Sequence, residues 1–276
     1  MKKRKLFCEY GPVFYEISIY KEALKRNIKD FFKGYKFAKK KSKDNLEYIW
    51  KGDAKILIRK LPGVDMRLQY NKVKNLEIAG KKIDGLIINP GEIFSFWNIV
   101  GRATKRKGYL DGLVVSDKKL YSGTGGGLCQ MGNLIHYLVL HTDLEVVELN
   151  HHTDALFPDV KRRSPFGTGT SISYKNLDYR FKNNSKYPIQ LRIWQDDTML
   201  YGEIRSTVPI KYKYKLVEED HHFKEENGVF YRNSKVYRIK YDKETNKEIV
   251  KELILDNHSK VMYDYSLIPK DEIREN

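Results

Sequence analysis

Gly123-Thr124-Gly125-Gly126-Gly127-Leu128-Cys129-Gln130 runs straight into Met131-Gly132-Asn133-Leu134-Ile135-His136-Tyr137-Leu138-Val139-Leu140. Four glycines within positions 123–127 forbid a regular strand or helix there, because glycine has the most backbone freedom to lose on folding. Apolar residues then recur at 131, 134, 135, 138 and 139, the stripe of a half-buried helix. The spacing sets Cys129 in the first turn of that helix, directly after a loop without side-chain bulk. Unpaired backbone N–H groups and the positive end of the helix dipole favour a thiolate at such a position. The bare loop also lets a substrate carbonyl approach N–H donors, as an oxyanion site requires. A plainer reading stays open, in which Cys129 is a small packed hydrophobe. A phosphate-cradling loop lacks its cation here, since no Gly-Lys-Ser/Thr follows.

Working outward, Leu113 to Ser122 reads as a hairpin turning at Asp117-Lys118 that delivers the chain to the glycines. Before it, Gly85 to Glu92 is a strand ending in a turn, and Phe94-Ser95-Phe96-Trp97 is an aromatic core patch. Asn71 caps a helix through Ile83 with the stripe Val73, Leu76, Ala79 and Ile83. Two short strands are expected over 46–68, around Leu61-Pro62-Gly63. Residues 20–43 read as a basic helix with Ala23, Leu24, Ile28, Phe31 and Phe32 on one side, able to pack on the body or to lie on an anionic membrane surface. After the Cys129 helix, Leu144 to Leu149 is a strand leading into Asn150-His151-His152-Thr153-Asp154. Short strands follow at 170–174, 177–182, 187–194 and 199–205. An accessory β segment spans 210–276, with Glu218-Glu219-Asp220-His221-His222 as a solvated loop. The expected fold is α+β: a mainly antiparallel sheet with the Cys129 helix packed on it, an N-terminal basic helix and a C-terminal β extension. The expected divisions are 1–67, 68–205 and 206–276.

With 276 residues, 41% hydrophobic and 13% aromatic, the chain can bury a real core. Its net charge of +16 points to an anionic partner, yet the basic residues are scattered and no nucleic-acid motif occurs. No 18-residue apolar run exists, so no transmembrane segment is expected. Met1-Lys2-Lys3-Arg4-Lys5 resembles the charged start of a signal peptide, but Cys8-Glu9, Gly11-Pro12 and Glu16 interrupt the apolar part. A cytoplasmic protein is expected, with peripheral membrane contact left open. Two cysteines, Cys8 and Cys129, exclude a disulfide scaffold.

A cysteine nucleophile needs a base within hydrogen-bond reach and a group to orient that base. His136 lies about two turns along the Cys129 helix, roughly 10 Å of rise, too far to serve. His151 and His152 end the next strand, where a loop can bring them to the helix start. Asp154 and Asp178 are candidate orienters. Cys129, His151, His152 and Asp154 are also zinc-ligating types, but no second close ligand pair accompanies them. No metal and no cofactor is therefore expected.

Several blocks together resemble the VanW family: Asn89-Pro90-Gly91-Glu92-Ile93-Phe94-Ser95-Phe96, Gly108-Tyr109, and Gly125-Gly126-Gly127-Leu128-Cys129-Gln130. They continue with His152, with Leu177-Asp178-Tyr179-Arg180-Phe181-Lys182-Asn183-Asn184, and with Tyr187-Pro188-Ile189. They cover about residues 68–194, and the flanks resemble the short, resistance-associated branch of the family. The resemblance implies cysteine-dependent acyl transfer on peptidoglycan-type peptides, of the L,D-transpeptidase kind, in glycopeptide resistance or cell-wall metabolism. It implies Cys129 as nucleophile and His152 as base; the orienter is then Asp178 or Asp154. It further implies Gly125, Gly126, Gly127, Gln130, Glu92 and Ser95 around the substrate, a peptidoglycan precursor peptide. One departure is Gly169, which stands where the family usually has an aspartate. The other reading is a non-catalytic accessory module that binds wall precursors or a protein partner. A reactive Cys129 should be labelled by thiol probes faster than Cys8.

Overall fold

The computed structural model describes residues 7–59, 65–116, 119–151, 154–156, 158, 165–174 and 176–274. In chain order the first half holds α1 (Pro12–Phe32), β1 (Tyr48–Ile56), α2 (Met66–Ile83), β2 (Leu86–Ile88), β3 (Ile93–Ser95), α3 (Phe96–Val100), β4 (Asp111–Ser116) and β5 (Lys119–Thr124). It continues with α4 (Cys129–Leu140), β6 (Glu145–Glu148), β7 (Asp154–Ala155), β8 (Arg180–Lys182), β9 (Ile189–Gln195) and β10 (Met199–Ser206). The C-terminal part holds β11 (Tyr212–Glu226), β12 (Val229–Asp242), β13 (Glu248–Val261) and β14 (Ile273–Arg274). The fold is α+β and mainly antiparallel, as the alternation of strand patterns with one strongly apolar helix implies.

The central sheet has the order β1-β10-β9-β2, antiparallel throughout. Period-2 burial along β10 turns Leu200, Gly202, Ile204 and Ser206 inward. Helix α4 lies on that face: a Cβ on Gly202 would come within 3.0 Å of Leu138 and 3.2 Å of Leu134. Helix α2 packs beside it, with Gly80 against Ile193 and Met131. A second antiparallel sheet, β3-β8-β6, carries Phe94 and Phe181, whose rings stack at 5.0 Å. Tyr179 and Phe181 are fully buried with the apolar side of α4 in one core. The third sheet, β14-β11-β12-β13-β7, is antiparallel in its middle and parallel at both edges.

Several sequence expectations shift. Helix α2 starts at Met66, five positions ahead of Asn71, because Asp65 caps it by accepting from the Arg67 N–H at 2.8 Å. β1 is the one strand in the described part of 46–68, where two were expected, and Leu61-Pro62-Gly63 lies outside the described residues, as does the Asp117-Lys118 turn. Residues 170–174 form a single bridge, Ser173 with Leu177, rather than a strand. Glu218 to His222 is no loop but part of β11; its ladder shifts register between Glu219 and His222, with Asp220 at φ 54°.

The basic helix differs most. It spans Pro12–Phe32 rather than 20–43, and it is turned around. Its inward stripe is Glu16, Ile19, Ala23, Arg26 and Asp30, spaced three and four apart. Glu16 pairs with Arg102. Arg26 donates to Glu148 at 3.0 Å and to the Asn176 carbonyl at 2.9 Å. Asp30 accepts two bonds from Arg180 at 2.8 and 2.9 Å. An amphipathic helix ordinarily buries its apolar side; here ion pairs hold the polar one.

Candidate functional site

The glycine turn is held from beneath by α2. Asn75, fully buried, donates to the carbonyls of Leu110 (3.0 Å) and Gly126 (2.9 Å) and accepts from the Leu110 N–H at 2.8 Å. Asn71 donates to the Asp111 carbonyl at 2.8 Å. Lys72 lies against Gly127, where a Cβ would fall 2.2 Å from the Lys72 Cγ, and Gly127 has φ +92°. Its ammonium donates to Gln69 at 2.8 Å. Burial, with the nearby charge of Arg59 as a lesser cause, lowers the Lys72 pKa to about 8. Gly126 and Gly112 meet backbone to backbone: a Cβ on Gly126 would stand 2.2 Å from the Gly112 carbonyl carbon. The loop is bare because α2 and the β4–β5 hairpin fill the space that side chains would need.

Cys129 is the first residue of α4, and no side chain caps that end. Its sulfur is half-buried against the core and donates to the Ile172 carbonyl at 3.8 Å. Burial pushes the thiol pKa up, against the pull expected of a helix start. Desolvation outweighs the backbone hydrogen bonds at the sulfur. The adjacent Ser171 N–H donates to the Asn150 carbonyl at 2.6 Å. Residues 171 and 172 thus bridge the thiol to the residue that precedes the two histidines. His151 donates from Nδ1 to the Gly167 carbonyl at 2.9 Å, leaving Nε2 as its acceptor. His152 lies outside the described residues.

Asp178 is almost fully buried and held within the fold. Its carboxylate accepts from the Ser95 hydroxyl (2.5 Å), the Trp97 N–H (3.1 Å), the Tyr179 N–H (2.9 Å) and Arg180 Nε (2.8 Å). Ser95 in turn caps α3 through the Asn98 N–H at 3.2 Å. Glu92 closes its own turn by accepting from the Asn89 N–H at 2.8 Å. Gln130 donates to the Ile56 carbonyl at 2.9 Å. Asp154 belongs to β7, opposite Lys260 of β13. Among the described residues no group of three or more His, Cys, Asp or Glu side chains could hold a metal ion. A cavity of about 400 Å³ is lined, among others, by His136, Leu140, His151, Arg238 and Leu255. Cys129 is not part of its wall.

The sequence model of the family described as VanW like protein matches residues 71–205. The Vancomycin B-type resistance protein VanW of Enterococcus faecalis (strain ATCC 700802 / V583) is 34% identical over 201 residues, 73% of either chain. The chain belongs to the VanW family. An uncharacterized protein, YoaR of Bacillus subtilis (strain 168), is 33% identical over 118 residues, 43% of this chain and 37% of that one. No solved structure matches.

Gly169 leans on Asn133; a Cβ there would meet Asn133 Oδ1 at 3.1 Å. Asn133 also accepts from the Thr170 N–H at 2.7 Å, one helical turn beyond Cys129. Lys72, Asn75 and Asn133 escaped the sequence reading. For two of them a signal existed, since Gln69, Lys72 and Asn75 extend the buried stripe of α2 at the same spacing. Gly126→Ala should displace the turn and cost about 3 kcal/mol, since its neighbour is backbone and cannot swing away. Chemical denaturation would measure it, and a loss under about 1 kcal/mol would mean that the two backbones can separate.

Proposed function

We propose that this protein acts in cell-wall peptide metabolism connected with glycopeptide resistance, as the name of its Enterococcus faecalis relative suggests, and that Cys129 is its acyl-transfer nucleophile. The observation that carries this reading is the pair of bonds at residues 171–172, which links the thiol at the head of α4 to the start of the histidine loop. In this scheme the imidazole of His152 takes the thiol proton. Sulfur bonds to the donor carbonyl carbon, the C–N bond breaks, and the proton leaves with the amine. A second amine then displaces sulfur from the thioester, restoring thiol and base. The N–H groups of residues 127–129 stabilise the oxyanion, since those of Gln130 and Met131 already donate within the turn. The raised thiol pKa makes the base indispensable, because the free sulfur is protonated near neutral pH.

Intact-protein mass spectrometry after incubation with muropeptide precursors tests this. The expected result is an adduct equal to the donor minus its leaving amine, absent in Cys129→Ala and reduced in His152→Ala. A folded protein that forms no adduct with tri-, tetra- or pentapeptide stems overturns it. The second reading, a binding module without chemistry, draws on the commitment of Asp178 and Ser95 to hydrogen bonds of the fold. Under it the same precursors bind without any covalent product.

A further inference from the structure

With its polar side engaged on the body, α1 turns its apolar side outward. Val13, Ile17, Leu24, Ile28, Phe31 and Phe32 are all exposed; Leu24 is 61%, Phe31 81% and Phe32 82% accessible. Phe7 and Tyr10 rest edge-on against Phe14 and extend the patch at its N-terminal end. The helix is 21 residues long, about 30 Å, so this is one continuous apolar strip rather than scattered residues. Strips of that size on a protein surface mark an interaction site.

Charge identifies the occupant. The inward charges Glu16, Arg26 and Asp30 are each matched by Arg102, Glu148 and Arg180. The outward charges are Lys21, Glu22, Lys25, Lys29 and Lys33, four cations against one carboxylate, and Glu22 is paired with Lys25. The lysines border one edge of the apolar strip, and exposed Lys36, Lys39, Lys40 and Lys41 follow the helix. An apolar strip rimmed by ammonium groups matches the boundary between acyl chains and anionic headgroups. It mismatches a second copy of itself, whose rim carries the same sign. We infer that α1 is a membrane-surface anchor that lies flat on an anionic phospholipid bilayer, and that its ion-paired side couples the rest of the protein to that surface. No described helix is long and apolar enough to cross a membrane, and lying flat requires none. Anchoring draws on nothing at Cys129.

Vesicle co-sedimentation of the whole protein tests the anchor. It should sediment with vesicles of equal phosphatidylcholine and phosphatidylglycerol, bind pure phosphatidylcholine far less, and release as salt rises. Leu24→Glu combined with Phe31→Glu should weaken binding on the order of a hundredfold, with an unchanged circular dichroism spectrum, since both side chains face solvent. If that variant fails to fold, Lys21→Gln, Lys25→Gln and Lys29→Gln together should lower binding at least about tenfold. No sedimentation with anionic vesicles at low salt, or undiminished binding by either variant, overturns the inference. A lipid-free dimer that the Glu pair converts to monomer also overturns it, assigning the strip to a second copy.

Discussion

Between pH 6.5 and about 3 the protein should lose about 5 kcal/mol of stability through His136 alone. His136 sits on the inner side of α4, nearly inaccessible, with Nδ1 3.0 Å from the hydroxyl of fully buried Tyr179. Burial drags its pKa from 6.5 to about 3, while burial raises that of Tyr179, so the folded pair stays neutral. In the unfolded chain the imidazole takes up its proton near 6.5. Over this window the unfolded state therefore binds more protons than the folded one, and acid favours unfolding. Above pH 6.5 the contribution is constant. His141, lowered to about 4 by the same cause, adds in the same direction. Urea titrations at stepped pH would read this directly. His136→Gln should flatten the stability-versus-pH curve across the window, and an unaltered slope would refute the assignment.

Arg180→Met should cost about 3–5 kcal/mol and release α1 from the body. Arg180 is 4% accessible and joins Asp30 of α1 to Asp178, themselves 7% and 2% accessible. Removing the guanidinium leaves two buried carboxylates, with Arg26 3.8 Å from Asp178 as a distant substitute. Hydrogen exchange along α1 should accelerate well before the core opens, because Asp30 loses its partner. If the denaturation midpoint moves by less than about 1 kcal/mol and α1 keeps its protection, the cluster does not hold the helix.

What the sequence made legible was local. The glycine run against the apolar stripe located the head of α4, and the C-terminal stretch was legible as a β segment. What stayed hidden depends on residues distant in the chain. Nothing around Cys129 announces that Ile172 will cover its sulfur, and nothing around Gly127 announces Lys72. The orientation of α1 was illegible for a different reason. Its apolar stripe was visible, but the direction it faces is decided by Arg102, Glu148 and Arg180, which supply partners for the opposite side. In β11, a run of acidic and histidine residues reads as loop by polarity. It becomes strand because β12 pairs with it on both sides of the register shift.

The edge pairing of β7 with β13 ties Asp154 and Ala155 to Lys260 and Val261, just downstream of His151 and His152. The family match ends at residue 205, so a fragment trimmed to that match would keep the cysteine turn and yet lose the clasp on one side of the histidine loop. Experiments on such a fragment would probe an untethered loop. Whatever occupies the long C-terminal ribbon is tied by this two-residue pairing to the chain segment that follows His151 and His152.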